Sequence, residues 1–357
     1  MNMNRREFLE GAAAAALLAG CATKGPKGTG GFAPAKTGDI KSVLLHLGTH
    51  MWTDRRHCEI PEFTRKHDPT VIEEDIRCVD YLRFDEDCWR ELTALMARRG
   101  LNQLVLDIGE GLEMPSHPEL AVKGAWSPDR MREEIVRLNA LGIEVIPKLN
   151  FSTGHDTWLG VYSRMVSTRK YYGVCADLIR DCAEIFGTPR YFHIGYDEET
   201  AGNQRNMDFC VVRAGDLWWH DFLWFVSEVE KNGMRPWMWS DYAWNHEDFL
   251  TRCPKSVLQS NWYYRQWFDY ESIPKDRRIH LKLFEDLEKA GFDQIPCGSN
   301  WGHRDNQKGL VKFCREKIAP ERLLGFLSAP WQSTIRRRHD RNVDCINLFA
   351  DALAGKA

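Results

Sequence analysis

The sequence predicts a (β/α)8 TIM barrel, a single catalytic domain over residues 41–357, and two observations carry that expectation. Apolar runs of strand length alternate with amphipathic stretches of helical period, eight times over about 315 residues. The competing doubly wound sheet would place a glycine-rich phosphate loop after its first strand, and Leu47-Gly48-Thr49-His50-Met51-Trp52 is not one.

The strands are expected at residues 42–47, 102–108, 143–149, 190–194, 236–240, 257–261, 294–299 and 324–328. Each is a short apolar run bounded by turn residues, the pattern of a parallel strand buried on both faces. Helices are expected at 85–99, 129–141, 170–186, 217–230, briefly near His246, then at 281–290, 307–318 and 343–354, where apolar residues recur at helical spacing.

The first 20 residues read as an export signal outside the fold. Asn4-Arg5-Arg6-Glu7-Phe8-Leu9 is a twin-arginine motif, an apolar run follows, and Leu18-Ala19-Gly20-Cys21 resembles a bacterial lipobox with Cys21 as the lipidation site. A membrane-spanning anchor is the competing reading, but the run falls short of the roughly 18–20 apolar residues a span needs. Residues 21–40, rich in Gly, Pro, Lys and Thr, read as a flexible tether. The expected location is the cell envelope, on the periplasmic face or at the outer membrane. Ala22, in place of the Asp that favours inner-membrane retention in envelope lipoproteins, leans to the latter.

Net charge is −3, and loss of residues 1–20 removes Arg5 and Arg6 together with Glu7 and Glu10, leaving it unchanged. No basic face is indicated, so nucleic acid is not an expected partner. None of the 11 cysteines falls in a C-x-x-C pair, which leaves zinc and thioredoxin-like readings without support, and most are expected as buried small hydrophobes.

In such a barrel the reacting groups sit just past the strands' carboxyl ends. His50 and Trp52 follow the first strand; Asp107, Glu110 and Glu113 the second; His155 and Asp156 the third. The fourth run, Tyr191-Phe-His-Ile-Gly-Tyr-Asp-Glu-Glu199, ends on adjacent carboxylates Asp197 and Glu198. Asp241 and Trp244 come next, then Trp262, Tyr263 and Tyr264, then Trp301 and His303, then Trp331 and Gln332. An isolated Asp-Glu pair would read as a helix cap. Acids and flat rings gathered at one rim read instead as a sugar site, in which carboxylates move protons and aromatic faces stack on pyranose rings. Two neighbouring acids cannot ionise independently, and a held proton is what glycosidic cleavage needs. No His-x-His or His-Glu-x-x-His spacing appears, so no metal or other cofactor is expected, although His50, His155 and His193 could in principle converge.

Three ordered stretches resemble glycoside hydrolase family 20, the β-N-acetylhexosaminidases. Asn102-Gln-Leu-Val-Leu-Asp107, with Glu113-Met-Pro-Ser-His-Pro-Glu-Leu120 and Gly124-Ala125, is similar to the family's second strand and its "yPEL…Ga" loop. Gly142-Ile-Glu-Val-Ile-Pro-Lys-Leu-Asn150 with Thr153-Gly154-His155 is similar to "GIeViPEiDmPGH", and Phe192-His-Ile-Gly-Tyr-Asp-Glu198 to "HiGgDE". The resemblance implies Glu198 as general acid and base, and Asp197 as the group that orients a 2-acetamido substituent, whose carbonyl attacks the anomeric carbon. It implies His193 and His155 as hydrogen-bonding supports of the carboxylates, Trp239, Trp262 and Trp331 as pocket walls, and Glu110 as a sugar contact. Asp241 is a further supporting acid. Departures are Tyr196 for a Gly, Lys148 and Asn150 in the "PEID" segment, Thr49 or His50 where an Arg is usual, and no acid beside Trp331.

The leading expectation is an exported, lipid-anchored retaining glycoside hydrolase releasing N-acetylhexosamine from a glycan. One alternative uses Asp241 or Asp156 as a carboxylate nucleophile on sugars lacking the acetamido group. Another is a glycan-binding lipoprotein whose acids do not catalyse.

Overall fold

The computed structural model describes residues 39–356, so the signal segment, Cys21 and nearly all of the tether lie outside the described residues. Eight parallel strands occupy Ile40–His46 (β1), Gln103–Asp107 (β2), Glu144–Lys148 (β3), Tyr191–His193 (β4), Arg235–Trp239 (β5), Leu258–Ser260 (β6), Cys297–Gly298 (β7) and Gly325–Ser328 (β8). They pair in the order β6-β5-β4-β3-β2-β1-β8-β7. Bridges between Gln259 and Gln294 and between Trp262 and Cys297 join β6 to β7 and close the ring. The (β/α)8 barrel expected from the alternation is the architecture present.

The strands lack a polar alternation because both of their faces are covered. Ile40, Leu44, Val105, Ile146, Trp237, Leu258 and Leu327 fill the barrel. Val43, Leu45, Leu104, Leu106, Phe192 and Met238 face the helical layer. That layer comprises α1 (Glu62–His67), α2 (Glu73–Ile76), α3 (Glu86–Arg98), α4 (Pro128–Ala140), α5 (Arg169–Phe186), α6 (Asp216–Lys231), α7 (Phe249–Arg252), α8 (Arg278–Lys289), α9 (Asn306–Lys317) and α10 (His339–Leu353). Several starts are set by side-chain caps: Asp85 accepts from the Cys88 N–H, Ser127 from Arg130 and Thr168 from Tyr171. Among the described residues no helix is long and apolar enough to cross a membrane. The ten described cysteines are free, seven of them buried.

Two features differ from the sequence expectation. β4 and β7 are shorter than the apolar runs that announce them; β7 loses mainly its start, where Gln294 makes only isolated bridges and Pro296 has no N–H to give. The β1–α3 connection also folds into α1 and α2, which no periodicity signals. Ion pairs to a distant segment hold it: Arg338 Nη1 lies 3.0 Å from Asp68 Oδ2, Arg341 Nη1 3.3 Å from Asp68 Oδ1, and Arg337 and Arg338 both bond Asp75. Buried pairing of this kind is favourable only when every donor and acceptor is used.

Candidate active site

The site begins as a strained turn. Past β4 the backbone takes positive φ at Gly195 (68°), Tyr196 (72°) and Glu198 (51°). For a residue with a Cβ such a conformation costs about 1–2 kcal/mol, so surrounding contacts must impose it. Asn150, just beyond β3, supplies several. Its Oδ1 accepts the N–H groups of Ser152 and Tyr196, both at 3.1 Å, and its Nδ2 donates to Asp197 Oδ1 at 2.8 Å. The Ser152 hydroxyl donates to the Asp197 carbonyl, and the Glu198 N–H donates to Asp241 Oδ2 at 2.8 Å. Only glycine fits at 195, because a Cβ there would lie 2.1 Å from Asn150 Oδ1.

This turn sends two consecutive carboxylates into different surroundings. Asp197 is 6 % exposed, whereas the Glu198 side chain is 40 % exposed. His155 joins them, its Nε2 lying 3.6 Å from Asp197 Oδ2 and 3.4 Å from Glu198 Oε2. Burial alone would lower the His155 pKa, but the charges of Asp197 and Glu198 outweigh it and raise the value to about 9. Burial, reinforced by Glu198, raises the Asp197 carboxyl against the opposing pull of His155 and Lys148. Asp241 is pushed up to about 8, by burial first and by the Asp197 charge second. One ligand atom from each of His155, Asp197 and Glu198 falls within 4.8 Å of the others, a spacing a metal ion could use. The same spacing puts the His155 ring where it can pass a proton between the two carboxylates.

Asp197, Glu198, His155 and Asn150 line a cavity of about 290 Å³ with Trp262, Tyr264, Trp301 and Trp331. Trp262 stacks on Tyr264 with centroids 5.1 Å apart, and its Nε1 points to Asp241 Oδ1 at 3.3 Å. Trp331 donates from Nε1 to the Tyr264 hydroxyl at 3.0 Å, so the aromatic wall is pinned by its polar edges.

Three sequence candidates lie elsewhere. Glu110 is buried outside the cavity, where its two oxygens accept the Thr49 and His50 N–H groups at 2.8 and 3.0 Å; it braces the turn after β1. His193 does not hold the carboxylates. Its Nδ1 accepts the Gly195 N–H at 3.0 Å, its Nε2 has no hydrogen-bond partner, and burial, then Lys148, drives its pKa well down, leaving it neutral. Trp239 is fully buried inside the barrel and supports Trp331 from below, with ring centroids 5.7 Å apart. Of the alternative nucleophiles, Asp241 has both oxygens occupied by N–H donors. Asp156 is buried outside the cavity, with burial raising its pKa to about 8. Lys148, a departure from the family pattern, pairs with Asp107 at 2.5 Å inside the barrel. Sequence reasoning missed Asn150 as a site residue, and also Asn203, Arg205 and Asn206, which the long β4–α6 connection brings to the mouth. Asn150 could have been found from its place at the same rim as the others.

No protein-family model matches the sequence, and no curated protein matches it. Solved structures do. A β-N-acetylhexosaminidase from Bacteroides fragilis aligns over 88 % of this chain and 66 % of its own, at 13 % identity and a TM-score of 0.55. A family GH20 exo-β-N-acetylglucosaminidase from Vibrio harveyi, in complex with N-acetylglucosamine, aligns over 90 % and 57 % at 12 % identity and a TM-score of 0.51. A Streptomyces plicatus β-hexosaminidase with its product aligns over 86 % and 63 % at 13 % identity and 0.53. The likeness is one of fold. This chain spans less than two thirds of the length of each of them.

Proposed function

We propose that the protein is a glycoside hydrolase that cleaves N-acetylhexosaminides with retention, using the substrate's own acetamido group. The observation that carries the reading is the pairing of a buried Asp197 with an accessible Glu198 at one end of β4, bridged by His155 beside an aromatic-walled cavity. The likeness in fold to β-N-acetylhexosaminidases supports it.

Glu198 donates its proton to the glycosidic oxygen as the bond from the anomeric carbon to that oxygen breaks. Asp197 accepts the acetamide N–H and faces the positive charge that develops as the acetamide carbonyl oxygen bonds to the anomeric carbon. Glu198, now a carboxylate, takes a proton from water, whose oxygen opens the oxazoline-like intermediate from the same side the leaving group occupied. The Asn150 amide and the His155 ring oppose the burial that raises the Asp197 carboxyl. The same reading includes export by the twin-arginine signal and lipid attachment at Cys21, with glycan as the partner and the envelope as the location.

Aryl glycosides test the chemistry. The protein is expected to hydrolyse p-nitrophenyl N-acetyl-β-glucosaminide and to be inhibited by a thiazoline mimic of the intermediate. Cleavage of the plain glucoside with indifference to the thiazoline would overturn the acetamido mechanism.

A further inference from the structure

Acids, arginines and one histidine line the cavity, and all but one of them are paired. On the far wall Asp68 and Asp75 pair with Arg338, and Arg337 and Arg341 take up further carboxylate oxygens. At the acid pair His155 stands 3.6 Å from Asp197 and 3.4 Å from Glu198. Arg205 differs from them all. Its side chain lines the cavity and makes no ion pair or hydrogen bond among the described residues.

The loop that carries this cation is braced on both sides of it. Asn203 Nδ2 donates to the Glu198 carbonyl at 3.2 Å. The buried Gln204 side chain accepts the Val211 N–H at 2.7 Å and donates to the Val211 carbonyl at 2.8 Å. The Asn206 carbonyl accepts the Thr53 hydroxyl at 2.7 Å, and Arg55 donates to the Met207 carbonyl at 3.1 Å and to Asp208 at 2.9 Å. The backbone at Arg205 is thus held in place while the five N–H donors of its guanidinium stay unspent on protein. Two residues span at most about 7 Å, so Arg205 stands close to the segment that carries Glu198, the acid that protonates the leaving oxygen. The unit on the leaving side of the bond is the one that meets it. A guanidinium is planar and matches the two oxygens of a carboxylate with parallel N–H bonds, and such a pair is screened less inside a cavity than on an open surface.

We propose that Arg205 is a specificity-determining residue that receives a carboxylate on the leaving unit, so that the preferred substrates are acidic glycans in which the N-acetylhexosamine is linked to a carboxylate-bearing sugar. The bond broken is the one from the hexosamine's anomeric carbon to the leaving oxygen. Water supplies hydroxyl to the carbon and a proton to the leaving unit, and the carboxylate is bound without being transformed. The proposal rests on the hydrolase reading above.

The test uses the full-length protein in detergent and two aryl N-acetyl-β-glucosaminides, one releasing p-nitrophenol and the other 3-carboxy-4-nitrophenol. The quantity read is the ratio of kcat/KM for the charged leaving group to that for the neutral one. Comparing this ratio between proteins cancels the intrinsic difference between the two phenols. It should be lower by about threefold or more in Arg205→Met than in wild type, through KM rather than kcat, and lower still in Arg205→Glu. Arg205→Lys, which keeps the charge but loses the fork, should fall between wild type and Arg205→Met. Raising salt from about 50 to about 500 mM should shrink the wild-type ratio and leave that of Arg205→Met where it was. A smaller change in Arg205→Met overturns the proposal. Should neither glycoside be cleaved, the hydrolase reading fails, and calorimetry with N-acetylglucosaminyl-β-1,4-glucuronate and its neutral glucose counterpart decides the role of Arg205. Tighter binding of the acidic disaccharide by wild type but not by Arg205→Met supports it, and equal or undetectable affinity overturns it.

Discussion

At the scale of single residues, the site is organised by an amide. Asn150 spends its oxygen on two backbone N–H groups, so its Nδ2 is the atom that meets Asp197, and it can only donate there. Asn150→Asp would set a second acid in that place, and the two would have to share a proton. The variant's kcat should fall progressively below the wild type's as pH rises and the shared proton is lost; parallel pH profiles would show that Asn150 only packs. Glu198→Gln keeps shape but not the transferable proton, and should cost on the order of 10²- to 10⁴-fold in kcat. With an acidic phenol as leaving group the loss should shrink, since less protonation is needed. Equal losses for both leaving groups would mark Glu198 as structural.

At the scale of elements, the turn after β4 is where sequence and backbone depend on each other most. Gly195→Ala adds a Cβ against Asn150 in a left-handed conformation, and should destabilise by about 2–5 kcal/mol, the sum of the conformational and overpacking costs. A denaturation midpoint unchanged from wild type would contradict the reading of this turn. Much here was legible in advance: eight buried strands show as apolar runs, and Asp197, Glu198, His155, Trp262 and Trp331 stand at the cavity where their place past a strand put them. The rest was not, for physical reasons. Position past a strand identifies the rim but not the direction of a side chain. Glu110 therefore turned to the unpaired N–H groups after β1, and Trp239, two residues after Trp237 on the same face, stayed inside the barrel. Tyr196, a departure from the family pattern, turns away and packs on Trp218, Phe222 and Phe225. α1 and α2 were invisible because partners far along the chain hold them in place.

At the scale of the whole molecule, charge buried at the site sets a pH dependence of stability. His155, raised from 6.5 to about 9, contributes stability present in full below its ordinary value and lost as pH climbs through 9. Asp241, raised from 3.8 to about 8, keeps its proton longer folded than unfolded, so its contribution also declines as pH rises from 3.8 to 8. Both terms have the same sign. Thermal melts from pH 5 to pH 8 should therefore fall more steeply for wild type than for Asp241→Asn, and identical slopes would exclude a raised Asp241. The proposed attachment to the envelope has its own test. Cys21→Ser should move the protein from the membrane to the soluble fraction, and unchanged membrane association would refute lipidation there.

The ion pairs that hold the far wall of the cavity also impose a timetable. Asp68 and Arg338 are 270 positions apart, and translation at about 5–20 residues per second separates their appearance by roughly 15–55 seconds. β1 likewise waits for β8 before it has a neighbour on its second edge. A growing chain can assemble the turn that carries Asp197 and Glu198 well before it can wall the chamber in front of them. The acid pair leaves the ribosome about 140 residues ahead of Arg338, and the chamber facing it can close only after that.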